Sequence, residues 1–437
     1  MRTTTEYFLK DPSEFKKKLF QWSSQFHEIA WLDSNNYPQT ASNFEAVLAV
    51  EAFTALKTDH HGAFAQLKEY QEITKDWIFG YLSYDLKNDL ENLSSKNYDG
   101  LKFPDLYFFQ PQKLILVGKE KVEFRYLRMV DDEMASDYED ILQLELDSKR
   151  IISEESKEAT NILPRISKEQ YLSKVAEMLE HIHRGDIYEA NFCQEYFAED
   201  ITLDAVQVFQ NLNEISLPPF ASFLKLENYY LLSASPERYI KKQGNKVISQ
   251  PIKGTARRAE TEEEDKEIIK MLAKDPKELS ENVMIVDLVR NDISRVAKKG
   301  SVHVDELCKV YSFKQVHQLI STISAELELG CTPVEVLQAT FPMGSMTGAP
   351  KISAMKIIED LEESKRGLYS GAVGYFTPDG DFDFNVVIRS ILYNASLKYV
   401  SFSVGGAITS KSIPEQEYEE CLLKAKAMLQ ALKTHLG

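Results

Sequence analysis

Two pairs of glutamates have the spacing of side chains that share one face of a helix. Glu278 and Glu281 are three residues apart near the start of one predicted helix, and Glu417 and Glu420 are three apart in another. Glutamates in a first helical turn often only complement the helix dipole. The alternative is that both pairs converge on one hard cation. Magnesium suits that arrangement, because it prefers carboxylate oxygens and keeps positions for water or a substrate's own oxygens.

Two lysines could act beside such a site. Lys424 lies one turn after Glu420, so it faces the same side and could hold an anionic ligand. Lys253 follows a predicted strand and would by default be a solvated surface residue. If it is instead buried near an acid, its ammonium can lose a proton and serve as a nucleophile. Glu237 and Glu189 are the carboxylates available for proton transfer.

Two glycine-containing segments could bring backbone N–H groups close to an anion. Residues 340–353 form a glycine-rich turn that leads into a helix predicted to start near Pro350. The spacing differs from that of a Walker phosphate loop. Residues 404–409 form a second stretch of small residues. Either segment could equally be an ordinary tight turn.

Two helices must position the glutamates. Apolar residues recur at helical spacing from Lys277 to Lys299, with Gly300 as the predicted helix end. The second helix is predicted to begin at Ser412, where Ser412 and Glu415 have the spacing of a capping box.

Turn residues between the helices predict β-hairpins. Gln243–Asn245 should join two short strands, and Thr377–Asp381 should join Ala372–Phe376 to a strand running from Phe384 to Leu392. Hairpins between helices, rather than strict alternation of strand and helix, favour an antiparallel sheet in an α+β protein.

Composition and charge narrow the possible classes of protein. The chain has 437 residues, of which 43% are hydrophobic and 27% charged, as is typical of globular proteins. The net charge of -17 should repel nucleic acid, and an anionic substrate would need a strong local cation. We expect no membrane span and no secretion signal. Four scattered cysteines form no CxxC pair and fit a reducing cytoplasm.

The chain divides at a polar stretch, Asp147–Lys157, that is the predicted connection between two regions. Residues 1–150 carry no recognisable chemical motif and are predicted to be intertwined with the core. Residues 151–437 carry the motifs and are the predicted catalytic domain.

From about Ile166 onward, the sequence resembles the chorismate-binding family, which includes the large subunits of anthranilate synthase and aminodeoxychorismate synthase, isochorismate synthase and salicylate synthase. The resemblance rests on the ordered motifs GDIYEANFCQ, SASPERYI, PIKGTARR, ENVMIVDLVRND, VHQLISTIS, GSMTGAPK, YSGAVGY, VVIRSI and GGAITSKSIPEQEYEE. It implies an α+β fold in which large antiparallel sheets pack as a sandwich with helices outside.

The resemblance also implies a role for each candidate residue. The four glutamates would surround magnesium, which anchors the ring carboxylate of chorismate. Glu237 would be the acid that helps the ring hydroxyl depart, and Thr347 and His317 would line the ring. The substrate's carboxylates would be held by Tyr369, Arg389, the backbone of Gly405, Gly406 and Ala407, and Lys424. Ala407 departs from the more usual glycine.

The residue type at the position of Lys253 distinguishes family members that catalyse different reactions. Anthranilate-forming relatives usually read PIAGT at this motif, whereas PIKGT resembles the members that aminate chorismate at ring carbon 4. The resemblance implies that Lys253 adds at ring carbon 2 while the hydroxyl leaves carbon 4, after which ammonia enters at carbon 4 and pyruvate is retained. Glu189 argues against the water-using members, which carry lysine there, and its own role is left open.

An anthranilate-forming large subunit and a catalytically silent chorismate-binding paralogue remain as alternatives. None of the cysteines lies in the G-x-C-x-G setting of a glutaminase nucleophile. The resemblance therefore implies that a separate glutamine amidotransferase subunit supplies the ammonia. Residues Trp31–Asn35 resemble the family's N-terminal tryptophan pocket.

Overall fold

The structure, a computed structural model, describes residues 1–37, 44–146, 161–314 and 316–434. The described helices are α1 Pro12–Ser23, α2 Ala63–Thr74, α3 Lys87–Leu90, α4 Met134–Gln143, α5 Lys168–Arg184, α6 Ala205–Ser216, α7 Glu262–Leu272, α8 Pro276–Ser294, α9 Pro333–Thr340, α10 Lys351–Leu361 and α11 Pro414–Leu432. None of these helices combines the length and apolar character needed to cross a bilayer.

The described strands pair with one another in antiparallel fashion. They are β1 Arg2–Phe8, β2 Glu28–Asp33, β3 Ala46–Thr58, β4 Ile78–Leu82, β5 Leu106–Val117, β6 Lys121–Leu127, β7 Leu163–Pro164, β8 Glu189–Ala198, β9 Phe220–Leu226, β10 Tyr229–Ser235, β11 Arg238–Gln243, β12 Lys246–Gln250, β13 Ile252–Arg257, β14 His303–Ser312, β15 Val316–Glu326, β16 Gly348–Ala349, β17 Ala372–Phe376, β18 Phe382–Val386, β19 Ser390–Asn394 and β20 Tyr399–Thr409. The predicted α+β class with large antiparallel sheets is confirmed.

Two arms of the sheet meet at β5. One arm runs β5-β3-β2-β9-β10-β19-β20-β8. The other runs β5-β4-β17-β18-β11-β12-β15, and β13 and β14 also pair with β15. The N-terminal strands therefore share hydrogen bonds with strands from the motif-bearing region. The predicted connection, Asp147–Lys157, lies outside the described residues.

The strands near β5 bury both of their faces. Successive side chains of a strand point to opposite sides. In β3, Val47 and Ala49 belong to one hydrophobic cluster, while Leu48 and Val50 belong to a second. Helices α2, α8 and α9 pack on the first cluster, and helices α1, α5, α6, α10 and α11 pack on the second. The sheet therefore has helices against both faces.

Helix α8 starts as the sequence predicts and ends earlier. The Asp275 carboxylate accepts hydrogen bonds from the backbone N–H groups of Lys277 and Glu278, which fixes the first turn. The prediction that the helix reaches Gly300 is wrong. The helix stops at Ser294, and Ala297 instead forms a β-bridge with Leu327.

Helix α11 begins at Pro414, and the predicted capping box is wrong. The cap position is Ile413, and the Ser412 hydroxyl accepts a hydrogen bond from the backbone of Thr409 at 3.1 Å. Ser412 lies too early in the chain to reach the free N–H groups of the first turn. The proline still sets the helix start, since it lacks the N–H that a first turn leaves unpaired.

Both predicted hairpins are confirmed, with one difference in the second. β11 and β12 are joined at Gly244, and β17 and β18 are joined across Thr377–Asp381. The strand predicted to run from Phe384 to Leu392 is interrupted. β18 ends at Val386 and β19 begins at Ser390, because Arg389 adopts a φ of 52°, in the left-handed region.

Candidate active site

Lys253 and Glu189 form an ion pair between the two arms of the sheet. Lys253 lies in β13 and Glu189 begins β8, and Lys253 Nζ is 3.2 Å from Glu189 Oε1. Glu189 is 1% exposed, and its Oε2 atom has no hydrogen-bond partner in the described part of the chain. Lys253 is therefore not the solvated lysine of the default interpretation, and one Glu189 oxygen remains available to a ligand.

Charge around Lys253 keeps its amine protonated in the free protein. Burial acts to lower the pKa of Lys253, but the carboxylates of Glu189, Glu281 and Glu237 outweigh it and raise the pKa above the ordinary value. The amine becomes a nucleophile only after it passes its proton to an acceptor. Glu189 is the carboxylate in contact with it.

Glu237 is a buried carboxyl group beside this pair. It lies between β10 and β11 and is 4% exposed. Burial raises the pKa of Glu237 to about 7, while Ser345, the charge of Lys253 and the backbone of Ile252 act in the opposite direction. A carboxyl group with this pKa carries a proton in a large fraction of molecules at neutral pH, so Glu237 can act as a general acid.

The backbone around Lys253 is held by α8. The Asn282 amide donates to the carbonyl oxygens of Lys253, at 3.2 Å, and Leu319, at 3.1 Å. Gly254 has a φ of 92°, and an added Cβ would lie 3.0 Å from Glu278 Oε2 and 2.8 Å from Leu319 Cδ1. Glycine is therefore required after the lysine, and the helix that carries Glu278 directly sets the position of Lys253.

We expect Asn282→Ala to lower kcat/KM roughly 10-fold by loosening Lys253, since small misplacements of reacting groups are costly. Steady-state kinetics of the purified variant would measure the effect. Asn291→Ala, an exposed position on the same helix, is the matched control and should behave as wild type. Equal kinetics in the Asn282 and Asn291 variants would contradict a positioning role for Asn282.

The glutamates of α8 and α11 converge on one ammonium group. Lys277 Nζ lies 3.9 Å from Glu281 Oε1 and 3.7 Å from Glu417 Oε1. Burial acts to lower the pKa of Lys277, and the four nearby carboxylates, those of Glu281, Glu417, Glu278 and Glu420, together raise it. Side chains more than 130 positions apart in the chain therefore face the same small volume.

Glu281 is a buried acid of this group with one unpaired oxygen. It is 8% exposed, its Oε1 atom has no hydrogen-bond partner, and burial raises its pKa to about 7 against the opposing charges of Lys253 and Lys277. In the described residues, no three His, Cys, Asp or Glu side chains are yet close enough together to hold a metal ion. The carboxylates instead face lysine ammonium groups.

The end of β20 lies against the α11 glutamates. Lys424 Nζ donates to the Gly405 carbonyl oxygen at 2.7 Å and pairs with Glu420 Oε1 at 2.6 Å. An added Cβ at Gly406 would lie 3.1 Å from Glu417 Oε2. In an antiparallel strand, the N–H and C=O groups of one residue point to the same edge and alternate along the chain. The N–H groups of Gly405 and Ala407 therefore point away from β8, toward Lys424.

Arg389 supplies a cation near Tyr369 and Glu420. Its guanidinium makes no hydrogen bond or ion pair with any described residue, although burial lowers its pKa against the opposing effect of Tyr369 and Glu420. The Tyr369 hydroxyl lies 3.4 Å from Cys193 Sγ. An arginine left unpaired in a partly buried position is suited to bind a carboxylate.

His317 and Thr347 are buried and bonded within the protein. The His317 ring contacts Asp265 Oδ1 through Nε2 and Ser312 Oγ through Nδ1, both at 2.8 Å. The Thr347 hydroxyl contacts the carbonyl oxygens of Met343 and Gly344. The structure shows no contact that joins His317 to the Lys253 pair within the described residues, so its role at the ring stays a prediction.

The comparisons with known proteins decide the family. Residues 23–430 match the family described as chorismate binding enzyme. The chain belongs to the chorismate-binding enzyme family. Its similarity to aminodeoxychorismate synthase of Arabidopsis thaliana is 35% identity over 384 residues, covering 84% of this chain and 41% of the plant protein.

Bacterial relatives of this chorismate-binding chain carry two different names. Anthranilate synthase component 1 of Thermus thermophilus is 33% identical over 389 residues, covering 88% of this chain and 84% of the relative. Aminodeoxychorismate synthase component 1 of Bacillus subtilis is 32% identical over 363 residues, covering 81% and 76%. The family is established, and the relatives divide between two products.

Solved structures of chorismate-binding enzymes share the fold. Anthranilate synthase component I from Streptococcus pneumoniae superposes with a TM-score of 0.75 and 26% identity, covering 90% of this chain and 93% of that structure. The menaquinone-specific isochorismate synthase from Escherichia coli, at 16% identity, has a TM-score of 0.74 and covers 99% and 95%. The predicted family and fold are both confirmed.

Several residues that shape this candidate site were not predicted from the sequence. Arg366 donates to the carboxylate of Glu362 and to the backbone oxygens of Met346 and Asn191, so it ties the glycine-rich loop to β8. The i, i+4 spacing of Glu362 and Arg366 was the available signal. Lys277 was missed too, although it stands four residues before Glu281.

The predicted tryptophan pocket falls on a real cavity. Leu32, Asp33 and Ser34 line it together with Phe220. Trp31 itself is 3% exposed and packs in the core. Lys16 Nζ lies 3.1 Å from Asp33 Oδ1. Binding of tryptophan at this cavity stays a prediction.

Proposed function

We propose that this chain is aminodeoxychorismate synthase component I, which converts chorismate and ammonia to 4-amino-4-deoxychorismate. The buried ion pair between Lys253 and Glu189 carries the proposal. A family member that forms a covalent bond to the ring needs an amine beside a proton acceptor, and an acid for the departing hydroxyl. Lys253, Glu189 and Glu237 supply these three functions.

The lysine step follows from the positions of these groups. Lys253 gives its proton to Glu189, and its free amine adds to ring carbon 2 while the ring double bonds shift and the C4–O bond breaks. Glu237 donates the proton that lets the hydroxyl leave as water. Ammonia then attacks carbon 4, the bond between Lys253 and carbon 2 breaks, and the ammonium formed at carbon 4 loses its extra proton. The enolpyruvyl group is retained throughout.

We further propose that Glu278, Glu281, Glu417 and Glu420 hold magnesium. Three observations support the fit: the donors are carboxylate oxygens, Glu281 Oε1 is buried without a hydrogen-bond partner in the described residues, and the Lys277 ammonium stands where a cation is needed. When bound, the ion would supply positive charge that binds the ring carboxylate of chorismate.

The remaining carboxylate of chorismate needs further positive charge, because the protein carries a net charge of -17. Arg389 is unpaired in the described residues and stands close enough to Tyr369 and Glu420 to interact with both electrostatically. Tyr369, Arg389, the backbone of Gly405–Ala407, and Lys424 therefore form the proposed carboxylate site. Lys424 would exchange part of its pairing with Glu420 for the substrate.

Ammonia is proposed to come from a glutamine amidotransferase subunit. The four cysteines of this chain are free thiols, and neither Cys193 nor Cys421 is accessible. Burial raises the pKa of Cys193 to about 12, which keeps it from acting as a thiolate nucleophile. Free ammonium should replace the partner in vitro.

Anthranilate synthase component I is the second candidate, because relatives of that name match this chain as closely as the aminodeoxychorismate synthases do. A catalytically silent paralogue is a third candidate. The presence of Lys253, Glu237 and the four glutamates together speaks against it, since a binding protein needs no proton donor.

Incubation of the protein with chorismate, magnesium and isotopically labelled ammonium separates the candidates. We expect a product that contains the label and retains the enolpyruvyl group, as measured by mass spectrometry. Fluorescent anthranilate together with released pyruvate would overturn the proposal in favour of the second candidate. Tight chorismate binding without turnover, when ammonium and magnesium are both saturating, would overturn it in favour of the third.

A further inference from the structure

Lys277 places its ammonium group beside Glu278, Glu281, Glu417 and Glu420, which together form the glutamate cluster. Its backbone is fixed at the first turn of α8, where the Asp275 carboxylate accepts from its N–H at 2.8 Å. From there its side chain reaches Glu281 on the same helix and Glu417 on α11. One ammonium group therefore links the two helices that carry the proposed metal ligands.

The ion pairs of Lys277 with Glu281 and Glu417 differ from an ordinary surface ion pair. Glu281 is 8% exposed and Glu417 is 4% exposed, so both acids are largely removed from water. Isolated carboxylates in such a setting are costly unless a cation offsets them. In the free protein, the Lys277 ammonium lies within 4 Å of both carboxylates.

A divalent ion and the Lys277 ammonium cannot both lie between these carboxylates. Like charges a few ångströms apart in a poorly solvated site repel strongly. The Lys277 side chain is 40% exposed, whereas Glu417 is almost fully covered. Lys277 therefore has a route to solvent that the carboxylates lack, and it is the group able to move when a metal ion enters.

We infer that Lys277 is a built-in counter-cation of the glutamate cluster: it holds α8 and α11 together in the metal-free protein and leaves when a divalent ion binds. The inference rests on the proposed metal site. It assigns to Lys277 the control of metal affinity, because each binding event must first break its two ion pairs. The lysine thus weakens metal binding and stabilises the empty site.

Titration of the full-length, metal-free protein with Mn²⁺, followed by electron paramagnetic resonance, tests the inference without any activity measurement. Lys277→Met keeps most of the length of the side chain and removes its charge. We expect the variant to bind Mn²⁺ roughly 10-fold more tightly than wild type, in the usual range of coupling between two bound groups. Its metal-free form should melt about 2 °C lower, and the difference should disappear at saturating Mn²⁺.

Lys274→Met is the matched control, since Lys274 is an exposed lysine just before α8, and it should bind Mn²⁺ as wild type does. Unchanged or weaker Mn²⁺ binding in Lys277→Met would overturn the inference. Glu281→Gln and Glu417→Gln test the site itself. If both retain wild-type Mn²⁺ affinity, the proposed metal site fails. If both lose it while Lys277→Met behaves as wild type, only the role of Lys277 fails.

Discussion

Replacement of Lys253 by alanine is expected to lower the rate of aminodeoxychorismate formation about 1,000-fold, equivalent to about 4 kcal/mol of activation free energy. The lysine is the proposed nucleophile, so its loss removes a covalent step instead of a binding contact. The alanine variant should keep the backbone hydrogen bond from Asn282 to residue 253, because that bond uses the carbonyl oxygen. The fold of the site should therefore survive.

The split between kcat and KM distinguishes a nucleophile from a binding residue. Loss of a group used only in the reaction lowers kcat and leaves KM for chorismate nearly unchanged. Product formation with ammonium and chorismate binding by calorimetry would measure the two effects separately. Lys246→Ala, on the neighbouring strand β12 with an exposed side chain, is the control. Wild-type turnover in the Lys253 variant would remove the covalent step from the proposal.

Local chemistry made the secondary structure around the site predictable. Apolar spacing predicted a helix from Lys277, and α8 begins one residue earlier at Pro276, where Asp275 caps it. Thr377–Asp381 contains the proline and glycine that a tight turn requires, and the hairpin forms there. These features depend on a few adjacent residues, so a single sequence is enough to find them.

The wrong predictions of secondary structure have a different origin. Arg389 has no sequence feature that marks a positive φ, and the strand that was predicted to continue through it is broken there. The end of α8 depends on Ala297 pairing with Leu327, a contact across 30 positions. Helical periodicity cannot detect the point at which a distant segment offers the backbone a better partner.

The candidate site was predictable from the sequence only in part. Spacing indicated that each glutamate pair shares a helix face, but it could not show that α8 and α11 face the same volume. The burial of Lys253 depends on β8, β13 and α8 meeting, and its neighbouring sequence gives no sign of it. The family resemblance, and not periodicity, supplied that part of the prediction.

Replacement of Glu237 by glutamine is expected to lower kcat by about 100- to 10,000-fold, the usual contribution of a positioned general acid. Glutamine has nearly the same shape and cannot donate the proton that the departing hydroxyl needs. Glu199→Gln, at an exposed position just after β8, is the control and should keep wild-type activity. A Glu237 variant with more than about a tenth of wild-type activity would exclude the general-acid role.

The pH dependence of the rate supplies an independent measurement of the same group. Burial raises the pKa of Glu237 to about 7, so the protonated form predominates below that pH and is lost above it. The wild-type rate should therefore fall as the pH rises through about 7, and the residual rate of Glu237→Gln should lack this decline. A decline of the same size in both proteins would assign the titration to another group.

Ionisation of buried Glu237 should destabilise the folded protein at high pH. A carboxyl group whose pKa is raised on folding binds its proton more tightly in the native state. The stabilisation that comes from this proton is complete below the ordinary pKa of 4.5, and it is lost as the pH rises through about 7. Glutamine carries no charge at any pH. Denaturant unfolding should therefore find Glu237→Gln more stable than wild type at pH 8, by about 3 kcal/mol. If Glu237→Gln is less active and more stable than wild type, the buried position of Glu237 costs stability and serves the reaction.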